Sequence, residues 1–88
     1  MRRVMKSCAV VFTYSFDIDS AVHLFNTQEE AIDYMMKSLE EELRIDKEEN
    51  GWDSDSYVTE DKMYAKIITH FPSGDDVTEM RIANVYDA

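Results

Sequence analysis

The chain has 88 residues and a mass of 10.3 kDa, room for one domain and no second. Its 19 acidic residues against 9 basic ones leave a net charge of −10. This argues against direct contact with DNA, RNA or anionic lipid, which demand a basic footprint. At 44% hydrophobic residues a packed core is affordable, while one cysteine, two glycines and one proline exclude an internal disulfide, a thiolate metal cluster, a linker and a glycine-rich phosphate loop.

Residues 1–6 carry three cations and precede a short apolar run over 8–12. A secretory leader needs roughly 7–15 apolar residues and a small-residue cleavage site, and Thr13, Tyr14 and Ser15 interrupt this run too soon. No stretch reaches the roughly 20 apolar residues of a membrane span. The lone Cys8 suits a reducing compartment, so a cytoplasmic location is expected. Residues 1–6 read as a flexible N-terminus, with Met1 and Met5 as alternative starts.

Residues 7–16 are β-branched and aromatic and predict a first strand. Asp17, Ile18, Asp19 and Ser20 read as a turn, and 21–25 as the returning strand of a hairpin. In that register His23 faces Tyr14. Thr27 followed by Glu30 is a capping box, with Glu30 expected to reach back to the cap amide. Ile32, Met35, Met36, Leu39 and Leu43 then recur at spacings of three and four, predicting a helix over about 28–48 that Asn50 and Gly51 terminate. Beyond a polar connection at 52–55, a short strand is expected at 56–60 and an alternating one at 62–71. Residues 72–75 read as a turn, and 77–86 as the last strand. That hairpin places Ile67 near Met80 and Ala65 near Ile82, one consistent buried face. Met35, Met36, Met63 and Met80 fall at core positions.

One apolar helix stripe and one antiparallel sheet face match each other. The expected fold is therefore a single α+β domain over 1–88, four or five antiparallel strands with one long amphipathic helix on one face, in the order β-β-α-β-β-β. The first hairpin is apolar on both sides, so Phe12, Phe16 and Phe25 are candidates for a spare face used in a homodimer.

Three stretches, VHLFNTQEEAIDYM, LRIDKEENGWDSDSY and YAKIITHFPSGDDVTEMRIANVY, resemble a set of short acidic proteins of Gram-positive bacteria and their phages and mobile elements. The resemblance covers residues 8–86. It carries no activity and no site residue; it implies a setting in which accessory and anti-defence proteins are common.

Chemistry-bearing patterns are sparse. Asp46, Glu48, Asn50 and Gly51 match the start of a calcium loop, but Asp53 stands where an apolar residue belongs and Tyr57 where a bidentate glutamate belongs. Asp17 and Asp19 mimic a phosphotransfer pair without a phosphate-binding scaffold. Cys8, His23 and His70 are spread too widely along the predicted strands for a nucleophile pair or a zinc site. No catalytic residue, metal or cofactor is expected, and the chain does not read as an enzyme.

Charge is the informative feature. Residues 29–61 hold 13 acids against Lys37, Arg44 and Lys47, a charge of −10 that equals the whole net charge. The helix and the segment after it thus form an acidic ridge, with Glu41, Glu42, Asp46, Glu49, Trp52, Asp53 and Asp55 as candidate partner-binding residues. A row of carboxylates imitates a phosphate row electrostatically, so the expected partner is a basic, nucleic-acid-binding protein. An inhibitor or anti-defence factor is the concrete expectation, and a homo-oligomeric structural or regulatory module the alternative.

Overall fold

The computed structural model describes residues 5–86, with side chains from 7 to 85. Chain order is β1 (Met5–Tyr14), β2 (Asp17–Phe25), α1 (Gln28–Arg44) with a π-helical continuation (Ile45–Glu49), β3 (Asp53–Val58), β4 (Tyr64–Phe71) and β5 (Gly74–Tyr86). All five strands form one antiparallel sheet in the order β2-β1-β5-β4-β3, with α1 on one face. This is the α+β arrangement that the alternation and the helix stripe predict. The last strand lies at the centre, so β1 and β4 each pair with the C-terminal segment and not with one another.

The core forms where α1 meets the four strands β2, β1, β5 and β4. Cys8, Val10 and Phe12 of β1, Ala65 and Ile67 of β4, and Met80 and Ile82 of β5 are buried under Ala31, Met35 and Leu39. Thr27 caps the helix, its hydroxyl oxygen accepting from the Glu30 N–H at 3.2 Å. The Glu30 carboxylate meets the Thr27 hydroxyl at 3.3 Å instead of the cap amide that the capping-box pattern predicts.

Both hairpins close more tightly than their turn chemistry suggests. The first turn is Ser15–Phe16, not 17–20; Asp17 through Ser20 belong to β2, and His23 pairs with Val10 instead of Tyr14. The central strand decides this. Ser15 N–H donates to the Val77 carbonyl at 2.9 Å, and Val77 N–H to the Ser15 hydroxyl at 2.8 Å, which ties the turn to β5. The second hairpin turns at Pro72–Ser73, and Ala65 pairs with Met80 and Ile67 with Thr78. That is a two-residue slip from the predicted register. An even slip leaves each side chain on its face, so the predicted core residues stay buried. The polar connection is shorter than expected, because β3 begins at Asp53. Met5 and Lys6 begin β1 instead of forming a loose end; the expectation for residues 1–4 lies outside the described residues.

The end of the helix depends on a buried carboxylate. The π turn closes with the Asn50 N–H donating to the Ile45 carbonyl at 3.0 Å, and Gly51 at φ +67° reverses the chain. Asp46, only 4% exposed, points under the sheet, where its Oδ2 accepts from the Ser54 hydroxyl at 2.7 Å and the Thr69 hydroxyl at 3.1 Å. Its backbone carbonyl accepts from the Trp52 N–H at 2.6 Å. One residue thus joins α1 to β3 and β4. Asp46→Ala removes two charge-assisted bonds and is expected to lower stability by about 2 kcal/mol, read as a shifted urea midpoint at unchanged slope.

Candidate functional site

The acidic residues singled out from the sequence do not share one surface. Asp46 is a buried structural group and leaves the ridge. Glu41 is held by Arg44 at 2.6 Å, and the guanidinium keeps its carboxyl below the usual range. Arg44 also reaches Glu48 at 3.4 Å, and Lys37 pairs with Asp33 at 3.0 Å, so these ridge cations are engaged within the helix. Glu49 and Asp53 are exposed. Asp55 projects to the sheet face away from α1, because Ser54 takes the helix side of β3. Trp52 is 45% exposed, with its ring edge-to-face on Phe71 at 5.0 Å between centroids.

The predicted aromatic face dissolves in the same way. Phe12 is buried in the core, Phe25 is half-buried against Tyr34, and Phe16 alone is well exposed. The uncovered apolar surface lies on the opposite side of the sheet. There the edge strand β2 presents Val22 and Leu24, 57% and 66% exposed, beside the half-buried Val11 and the exposed Val85. Toward β4 that open face carries polar groups that pair with one another. Tyr64 donates to Glu79 at 2.6 Å, Arg81 pairs with Glu79 at 2.9 Å, and its guanidinium lies 4.8 Å over the Tyr64 ring.

The helix side has two clefts that meet at Glu42, with volumes of about 290 and 280 Å³. Phe12, Tyr14, His23 and Tyr34 wall the first; Phe16, Trp52 and Phe71 wall the second. Tyr34 Oη lies 3.4 Å from His23 Nε2, and their rings are 4.9 Å apart. Burial raises the Glu42 carboxyl above its ordinary value, with Asp46 and Glu41 adding repulsion. Burial and the charge of Glu42 raise Tyr14 in turn. A larger polar hollow of about 600 Å³ lies between Leu43, Lys47 and β3, and Trp52 and Asp53 line it. The clefts were missed in the sequence because their walls come from β1, β2, α1, β4, β5 and the segments around Phe16 and Trp52. Glu42 itself carried a signal, since it stands three residues after Leu39 on the stripe that faces the sheet.

Two other reactive groups have structural partners. Cys8 is fully buried, its thiol donating to Asn84 Oδ1 at 3.3 Å, and burial pushes its pKa up, away from thiolate chemistry. His70 sits between Asp55 at 2.8 Å from Nε2 and Asp75 at 3.0 Å from Nδ1. Among the described residues no group of three or more His, Cys, Asp or Glu side chains is placed to hold a metal ion, and no helix is long and apolar enough to cross a membrane. Comparison with protein-family models, curated proteins and solved structures finds no match.

The two carboxylates favour imidazolium and raise the His70 pKa above its ordinary 6.5. Such a group adds stability that is complete below the unfolded pKa and is lost as pH rises through the folded one. An NMR titration is expected to give His70 a midpoint above 6.5. His70→Gln is expected to flatten the fall of stability with rising pH in that window.

Proposed function

We propose that this protein is a non-enzymatic interaction module that acts in the cytoplasm and binds a basic protein surface through the exposed carboxylates of α1 and the segment that follows it. The observation that carries this reading is the confinement of the whole net charge to residues 29–61. The internal pairing of Arg44 and Lys37 supports it, because helix cations tied to their own neighbours do not reach out to a partner. A basic surface that grips nucleic acid has the complementary field, and steered association with it is fast and salt-sensitive. The resemblance to proteins of phages and mobile elements makes an inhibitor of such a machine, an anti-defence factor, the concrete form of the proposal.

Capture of a basic nucleic-acid-binding protein from native lysate is expected at about 0.05 M salt and to be lost near 0.5 M. Paired charge reversal, Glu40→Lys with Glu49→Lys, is expected to abolish it. Capture that survives both changes defeats the reading. Asp46 is left out of the variant because its reversal would unfold the helix end.

A second reading, a homo-oligomeric structural or regulatory module, is favoured by the exposed Val22 and Leu24 on an edge strand that carries no lysine or proline. It uses the face opposite to the one that Phe12 and Phe25 occupy. Analytical ultracentrifugation is then expected to give a dimer mass that Leu24→Lys returns to 10.3 kDa. A monomer at tens of micromolar before substitution removes this reading.

A further inference from the structure

Glu42 occupies a position on α1 that a core residue would normally fill. It lies seven residues after Met35 and three after Leu39, so at about 100° per residue it continues the stripe that buries both. Its neighbours are committed, Glu41 to Arg44 and Asp46 to Ser54 and Thr69. Among the described residues no hydrogen bond or cation reaches the Glu42 carboxylate. Its outer side remains open to solvent, while its inner side is desolvated and faces the junction of the two clefts.

The cleft walls narrow the choice of occupant. They are largely aromatic, they contain Glu42 and other carboxylates, and among the described residues no lysine or arginine lines them. An anion would be repelled. An apolar side chain would strip the remaining water from an unpaired carboxylate and give it no partner in return. Each volume is near or below the lower end of the roughly 300–1,000 Å³ of small-molecule sites, enough for one side chain rather than a nucleotide-sized cofactor. A flat, weakly hydrated cation satisfies every wall at once. Guanidinium stacks on aromatic faces and offers two parallel N–H donors to a carboxylate, whereas an ammonium holds its water more tightly and cannot stack.

We propose that the paired cleft is a receptor for an arginine side chain of a basic partner protein, its guanidinium set against the Glu42 carboxylate and stacked on the wall of Tyr14 and Tyr34. The proposal rests on the basic-partner reading above for the source of the arginine and names the contact that orients it. Charge on the outer ridge steers the encounter, and the cleft gives it register, since buried arginine is a preferred hot-spot residue.

The probe is the capped tripeptide acetyl-Gly-Arg-Gly-amide, titrated into isotope-labelled protein and followed by NMR. Saturable shifts are expected at Glu42, Tyr14 and Tyr34, with a Kd near 1 mM, as suits one side chain. The neutral isostere with citrulline in place of arginine is expected to give none, and the lysine tripeptide to bind several-fold more weakly. Glu42→Gln is expected to keep a dispersed spectrum, because it removes an unpaired carboxylate, and to weaken the arginine peptide about tenfold. No shift at these residues, equal shifts with citrulline, equal affinity for lysine, or unchanged binding in Glu42→Gln each overturns the proposal. The outer-ridge variant separates the two claims. If Glu40→Lys with Glu49→Lys abolishes partner capture while the tripeptide fails to bind, the ridge stands and the cleft falls. If capture survives that reversal and the tripeptide binds at Glu42, the cleft stands and the ridge reading falls.

Discussion

One helix cannot cover a five-stranded sheet, and most of the architecture answers to that limit. At about 1.5 Å per residue and about 10 Å across, the 17-residue α1 spans roughly 25 Å of length but only half the width of a sheet whose strands lie about 4.8 Å apart. Ala31, Met35 and Leu39 seal the middle of one face. On either side of that seal the chain needs other means. The π turn brings Asp46 under β3 and β4, and Trp52 folds onto Phe71. Among the described residues no element covers the far face. Its β4 half satisfies itself through Tyr64, Glu79, Arg81 and His70, while its β2 half leaves Val22 and Leu24 bare.

Glu42 and Asp46 show how the same side chemistry on the same stripe takes two roles. Asp46 lies where β3 and β4 present Ser54 and Thr69, and two hydroxyl donors make its burial tolerable. Glu42, one turn earlier, lines the aromatic clefts, where among the described residues its carboxylate accepts no hydrogen bond, and partial desolvation raises its pKa. The buried, satisfied carboxylate of Asp46 joins layers of the fold; the half-desolvated, unpaired one of Glu42 marks a place where an outside donor fits. The two residues differ in what the sheet places opposite them, not in anything local to the helix.

The fold was legible in the sequence to the extent that periodicity could show it. The helix stripe, the Thr27 cap and the Gly51 stop place α1 and its continuation almost to the residue. The second hairpin survives a register error because the error is even: Ala65, Ile67, Met80 and Ile82 stay buried although their partners change. The first hairpin fails where turn chemistry competes with strand pairing, since Asp17 and Asp19 look like a turn until β5 supplies partners for Ser15. The candidate site was legible only as charge. That the ridge splits between two layers, with Asp46 inside and Asp55 on the far face, depends on the π turn that carries Asp46 under the sheet and on the side of β3 that Asp55 takes.

Composition and spacing by themselves determined a small acidic α+β domain, its one helix, the alternation of its last two strands and the concentration of charge in residues 29–61. These are local quantities, set by 3.6-residue and two-residue periods that a neighbour in space need not complete. Tertiary structure alone decided the central place of β5, the burial of Phe12, the exposure of Val22 and Leu24, and the aromatic clefts around Glu42. Each of these depends on strands brought together from opposite ends of the chain. Pairing between residues as distant as Cys8 and Asn84 is written in no single segment of it.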